Sequence, residues 1–116
     1  MKVQFLFWEG CASHPEAWDR LHDVLRDLGV DAEVKRIEVT TDDEARRWGF
    51  AGSPTILVNG RDIDPQPDAP ARLTCRLYLH EDGRPSPLPS RAMIARAIEA
   101  ARAADSSSAT KGQPHA

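Results

Sequence analysis

The stretch Val3-Gln4-Phe5-Leu6-Phe7-Trp8 is apolar at every position but one, and such a segment cannot leave a whole face in water. Aromatic and branched residues favour a strand, and apolar side chains of both parities suit a central strand covered on each side. Only the turn Glu9-Gly10-Cys11-Ala12 separates this strand from a helical pattern. Trp18, Leu21, Leu25 and Leu28 follow at helical spacing, and Gly29 ends the pattern. Ser13 and Glu16 read as a capping box with Pro15 in the first turn. A covered strand that runs straight into an amphipathic helix points to a layered α/β domain.

The next segments extend that plan. Residues 32–39 alternate, with Ala32, Val34, Arg36 and Glu38 opposite Glu33, Lys35, Ile37 and Val39. Neither face is cleanly apolar, so an outer strand is expected. Thr41-Asp42-Asp43-Glu44 forms a second capping box, opening a helix that carries Ala45 and Trp48 and stops at Gly49. Ile56-Leu57-Val58 reads as a strand, and Asn59-Gly60 as a two-residue hairpin turn returning through residues 61–64. Residues 65–70 hold three prolines in a loop, residues 73–79 have strand character, and residues 81–89 read as turn and loop. Ser90 caps a final helix with Met93, Ile94, Ala97, Ile98 and Ala101 on one face. Trp18, Trp48 and Met93 are expected in the core. Residues 1–104 are read as one domain and residues 105–116, small and polar, as a flexible tail.

The predicted order is β-α-β-α-β-β, an extra strand-like segment, then α. The first strand–helix–strand unit predicts a parallel pair and the hairpin an antiparallel one, giving a four-stranded mixed sheet with helices on both faces. A length of 116 residues suits one domain. The net charge of −3, with both signs interspersed, offers no footprint for nucleic acid and no polybasic patch for a membrane. The N-terminal run has neither the apolar core nor the cleavage site of a signal peptide, so the expectation is a cytoplasmic monomer. Two cysteines are too few for a secreted disulfide scaffold. No zinc-spaced cluster and no phosphate-binding glycine loop is present, so no metal and no cofactor is expected.

Cys11 lies at the strand–helix turn, and Trp48-Gly49-Phe50-Ala51-Gly52-Ser53-Pro54-Thr55 leads from a helix into the third strand. Together with the Asn59-Gly60 turn, these features resemble the minimal thioredoxin fold of glutaredoxins over residues 2–64, and more loosely over the last helix. The chain also resembles small thioredoxin-like proteins labelled alkylmercury-lyase-like. The first resemblance implies that Cys11 is a nucleophile, that the Ser53–Pro54 bond is cis, and that Ser53, beside Pro54 and Thr55, offers backbone groups to an extended substrate. Where the superfamily motif is Cys-x-x-Cys, the run Cys11-Ala12-Ser13-His14 has a histidine in the second cysteine's place, which excludes exchange within the motif.

The residues leave specific alternatives open. A thiol at a helix N-terminus has its thiolate stabilised by the dipole and free amides, so Cys11 is expected to be partly exposed and reactive; the alternative is a small buried hydrophobe. His14 is either a partner of that thiolate and proton shuttle or a surface residue of the first turn. Trp8 is a core residue or a substrate platform. Glu9 points away from the thiol or serves as a base. Pro54 is a cis residue lining the site or merely the start of a strand. Cys75 is either the resolving partner of Cys11, brought over the site by the loop after Asp64, or a core residue in the alternation Leu73, Cys75, Leu77, Leu79, or a shared thiolate ligand. The functional expectation is a thiol–disulfide oxidoreductase acting on a protein or low-molecular-weight thiol or disulfide. The alternatives are a soft-metal or organomercurial thiolate protein and a binding module without turnover.

Overall fold

The computed structural model describes the backbone of residues 1–112 and the side chains of residues 1–104. The elements are β1 (Lys2–Phe7), α1 (His14–Asp27), β2 (Glu33–Glu38), α2 (Asp42–Trp48), β3 (Thr55–Val58), β4 (Arg61–Asp62), β5 (Tyr78–Leu79), β6 (Pro85–Ser86) and α3 (Arg91–Gly112). The first four strands form one mixed sheet in the order β2-β1-β3-β4. β1 runs parallel to β2 and antiparallel to β3, and β3 runs antiparallel to β4. The arrangement is compatible with a thioredoxin-like one.

β1 is central, as its composition requires. Val3, Phe5 and Phe7 face a cluster with Leu21, Val24 and Leu25 of α1, Ile56 and Val58 of β3, and Ile94 and Ile98 of α3. Leu6, of opposite parity, faces a second cluster with Val39, Ala45, Phe50 and Leu57. The period of two along a strand therefore puts α1 and α3 on one face of the sheet and α2 on the other. Trp18 packs edge-on against Phe5, with ring centroids 5.2 Å apart. Trp48 is 37% exposed and Met93 half-buried, so neither is the core residue that its helical spacing implies.

The ends of the elements follow local chemistry, with one exception. The Glu44 amide donates to Thr41 Oγ1 at 3.0 Å and Gly49 ends α2 with φ +65°. The Met93 amide donates to Ser90 Oγ at 3.1 Å. Asn59 and Gly60 both have positive φ, 51° and 82°, as a type I′ turn requires. Ser13 makes no side-chain cap, because its own backbone is helical, φ −86° and ψ −13°. A capping side chain reaches the amides ahead of it from an extended backbone. α3 continues as helix to Gly112, past Asp105, where the composition predicts the start of a tail; residues 113–116, the rest of that expected tail, lie outside the described residues. Among the described residues no helix is long and apolar enough to cross a membrane.

The largest correction concerns residues 73–79. Only Tyr78–Leu79 forms a strand, paired with Pro85–Ser86 in a small separate hairpin. The inner face is also the reverse of the one that the core alternative implies: Leu77 and Leu79 are 61% and 65% exposed, while Arg76 and Tyr78 are fully buried. The cause is the Arg76 guanidinium. It donates from Nη1 to Asp62 Oδ2 at 2.8 Å and to Thr55 Oγ1 at 3.1 Å, and from Nη2 to Asp62 Oδ1 at 2.9 Å and to the Asp64 carbonyl. It also lies 4.5 Å from the centroid of the Tyr78 ring. Burial is the largest single influence and lowers the Arg76 pKa, but the hydrogen bond to Asp62 together with the charges of Tyr78, Asp62 and Asp64 outweighs it, and the net direction is up. A bidentate pair of this kind is stronger than a neutral hydrogen bond, and removing one partner strands a buried charge. Asp62→Ala is therefore expected to lower the unfolding free energy by about 3–5 kcal/mol, read as an earlier urea midpoint. A loss below about 1 kcal/mol would show that the pair does not hold this segment.

Candidate functional site

Three pieces of chain meet at the C-terminal end of β1. The first is the turn after β1, closed by the Cys11 amide donating to the Trp8 carbonyl at 3.0 Å. The second is the segment from α2 into β3, where the Ser53–Pro54 peptide is cis and Gly52 has φ +128°. The third is residues 72–76. The Arg72 amide donates to the Phe50 carbonyl at 3.2 Å, and the Leu73 amide to Asp42 Oδ1 at 3.0 Å. Residues 74–76 then lie parallel to Ser53, with Cys75 as its bridge partner.

Ser53 joins all three. Its amide donates to the Thr74 carbonyl at 2.8 Å, and its carbonyl accepts from the Arg76 amide at 3.0 Å. Its hydroxyl accepts from the Trp8 amide at 3.0 Å. The Cys11 thiol donates to the same Ser53 carbonyl, with Sγ 3.4 Å from the oxygen. Close approach depends on Gly52, since a Cβ there would stand 2.8 Å from Arg76 Cβ. The Tyr78 hydroxyl donates to the Pro54 carbonyl at 2.5 Å.

This geometry brings Cys11 and Cys75 together, and both are free thiols. The Cys75 thiol is pushed above its ordinary pKa, first by its hydrogen bond with Cys11, then by desolvation and by the charge of Cys11. The exposure of Cys11 is the reverse of expectation, and that of Cys75 excludes the core alternative. Cys11 is 1% exposed, because the turn carrying it packs onto Ser53 while residues 74–76 lie across the same residue. Cys75 is exposed and is not a core residue.

The other candidate residues divide clearly. His14 is buried, not a surface residue: its ring stacks 4.7 Å from Phe7, Nδ1 accepts from Arg36 Nη2 at 3.4 Å, and Nε2 lies 3.7 Å from the Glu9 carboxylate. Its polar neighbours are thus Arg36 and Glu9, and Glu9 turns toward the imidazole. Trp8 is half-buried against the α2-side core, its indole over Gly10, where a Cβ would meet the ring at 2.3 Å. Ser53, Pro54 and Thr55 are buried. The Thr55 hydroxyl donates to the Gly52 carbonyl at 2.6 Å and accepts from Arg76. The backbone groups of Ser53 expected to receive an extended substrate are thus occupied by the chain's own Thr74 and Arg76.

Sequence reasoning missed Arg76, Asp62 and Tyr78. The usable signal was an arginine and a tyrosine sharing one parity in Leu73-Thr74-Cys75-Arg76-Leu77-Tyr78-Leu79, with Asp62 and Asp64 upstream. Among the described residues no group of three or more histidine, cysteine or acidic side chains gathers as a metal site. The arrangement can form a disulfide, or offer two sulfur donors.

The fold and site thus define a small mixed α/β domain with a dithiol at the end of its central strand. The chain belongs to the family described as a domain of unknown function (DUF2703), which matches residues 11–98 and so takes in both cysteines. No curated protein and no solved structure matches it.

A raised pKa leaves less thiolate at a given pH, so alkylation of Cys75 by iodoacetamide should still be rising at about pH 8.5, the midpoint of a free thiol. Cys11→Ala removes both the hydrogen bond and the charge that raise it, so the midpoint should move down and Cys75 should react faster at neutral pH. An unchanged or higher midpoint in Cys11→Ala would show that the two thiols do not interact.

Proposed function

We propose that this chain is a thioredoxin-like thiol–disulfide oxidoreductase in which Cys11 and Cys75 cycle between dithiol and disulfide. The observation that carries the reading is the pairing of Ser53 with Cys75, which brings an exposed thiol into interaction with the thiol hydrogen-bonded to the Ser53 carbonyl. The Cys11 position at the strand–helix turn and the cis Ser53–Pro54 bond are what the thioredoxin-like resemblance implies, and they support the superfamily assignment. Cys75 serves as the partner that the Cys-x-x-Cys motif lacks.

The reaction is two successive thiol–disulfide exchanges. One protein thiolate attacks a substrate sulfur, a protein–substrate bond forms, and the first substrate thiolate leaves and takes a proton. The second protein thiol then gives up its proton and attacks the mixed disulfide, releasing the second substrate thiol. The substrate disulfide gains two electrons and the protein is left with a Cys11–Cys75 bond. A dithiol or two low-molecular-weight thiols reverse the cycle, which suits a reducing, cytoplasmic setting. The substrates are protein or low-molecular-weight disulfides.

Two adjacent thiols also favour a second reading, a two-coordinate thiolate site for a soft metal ion. Mild oxidation, digestion and mass spectrometry distinguish them. The redox reading expects a peptide joining Cys11 to Cys75, reversed by dithiothreitol, and reduction of a small disulfide by the reduced protein. If both thiols stay alkylatable under oxidation while mercury(II) titration yields thiolate charge-transfer absorbance, the metal reading replaces it.

A further inference from the structure

We infer that a substrate disulfide is attacked first by Cys75, and that Cys11, the cysteine at the strand–helix turn, is the resolving thiol. The inference rests on the dithiol reading above and assigns an order within it.

Access decides the order. Cys11 is 1% exposed and its thiol is turned to the Ser53 carbonyl. Cys75 is exposed and shares its outward side with Leu77 and Leu79, 61% and 65% exposed. To reach Cys11, a disulfide must lift residues 74–76 off Ser53. That breaks the bonds from Ser53 to Thr74 and from Arg76 to Ser53, and draws the buried Arg76 away from Asp62. An opening that breaks a buried ion pair suppresses reactivity by roughly a hundredfold or more. To reach Cys75, a disulfide needs no rearrangement. The raised pKa of Cys75 lowers its thiolate fraction at neutral pH but does not bar a disulfide from reaching it.

The second step uses the same geometry. Once Cys75 carries half of the substrate, the substrate sulfur lies toward solvent while Cys11 lies on the protein side of Cys75. Cys11 loses its proton and attacks Cys75 Sγ. The Cys75–substrate bond breaks, and the departing thiolate leaves into water, where it takes a proton. No segment has to move for the leaving group to escape.

The test uses the full chain with Ellman's reagent, an aromatic disulfide that releases a coloured thiolate. In the wild type, rapid acid quench and digestion should find the transient adduct on Cys75, followed by a second release of colour as the Cys11–Cys75 bond forms. Cys11→Ala, with Cys11→Ser as a second variant should alanine loosen the core, should trap a stable adduct on Cys75. That adduct should form at least roughly tenfold faster than any adduct on Cys11 in Cys75→Ala. A wild-type adduct on Cys11, or equal or faster reaction of Cys75→Ala, overturns the order and leaves the dithiol reading standing. A wild type that stalls with one adduct on Cys75 and never releases the second thiolate overturns the dithiol reading, and the resolving role of Cys11 with it.

Discussion

The Arg76 guanidinium, buried beneath Tyr78 and gripped by Asp62, is the contact on which the candidate site depends. Four of its hydrogen bonds end on Thr55, Asp62 and the Asp64 carbonyl, so one side chain ties the segment after the proline loop to β3, to β4 and to the loop itself. Among the described residues its buried Nε has no hydrogen-bond partner, a cost that the bidentate pair with Asp62 offsets. Cys75 precedes Arg76 in the chain. Wherever the guanidinium is anchored, the thiol before it is held beside Ser53, and the alternation along an extended segment turns it outward.

Ser53 is the other fixed point. Its amide, carbonyl and hydroxyl are all engaged, by Thr74, by Arg76 and Cys11, and by Trp8. A residue bonded through both backbone groups and its side chain has little freedom left, so the turn holding Cys11 and the segment holding Cys75 are referenced to the same atoms. Gly52 makes this possible, because its φ of +128° belongs to a region that side-chain-bearing residues rarely adopt and a Cβ there would collide with Arg76. The chain thereby fills its own groove with residues 74–76. That explains how a domain without a second cysteine in the turn still brings two thiols together, and why the one at the turn is the less accessible.

The core was legible from short stretches. β1 announced a covered central strand, Thr41 and Glu44 the start of α2, and Asn59-Gly60 the hairpin, each through interactions between residues a few positions apart. That the Ser53–Pro54 segment lies at Cys11 was implied by the thioredoxin-like resemblance, which the order of elements and the run Gly52-Ser53-Pro54-Thr55 carried. Ser13 misled, because the residue chosen by its capping chemistry has itself taken helical angles. For His14 the sequence left a thiolate partner and a surface residue both open, because it does not show Phe7 and Arg36 closing over the ring. Residues 73–79 misled most. Three leucines and a cysteine of one parity outvoted an arginine and a tyrosine of the other, and a one-residue choice of face reverses every side chain.

The sequence by itself determined the layered α/β plan, the mixed sheet, and the position of Cys11 at a strand–helix turn, because periodicity, caps and turn residues act within a few residues of chain. Tertiary structure decided which face of residues 73–79 turned inward, and therefore which cysteine met solvent. That choice rested on Arg76 finding Asp62, fourteen positions earlier in the chain. A buried guanidinium is tolerated only where a carboxylate is already in place to receive it, and no count of apolar residues reveals that partner.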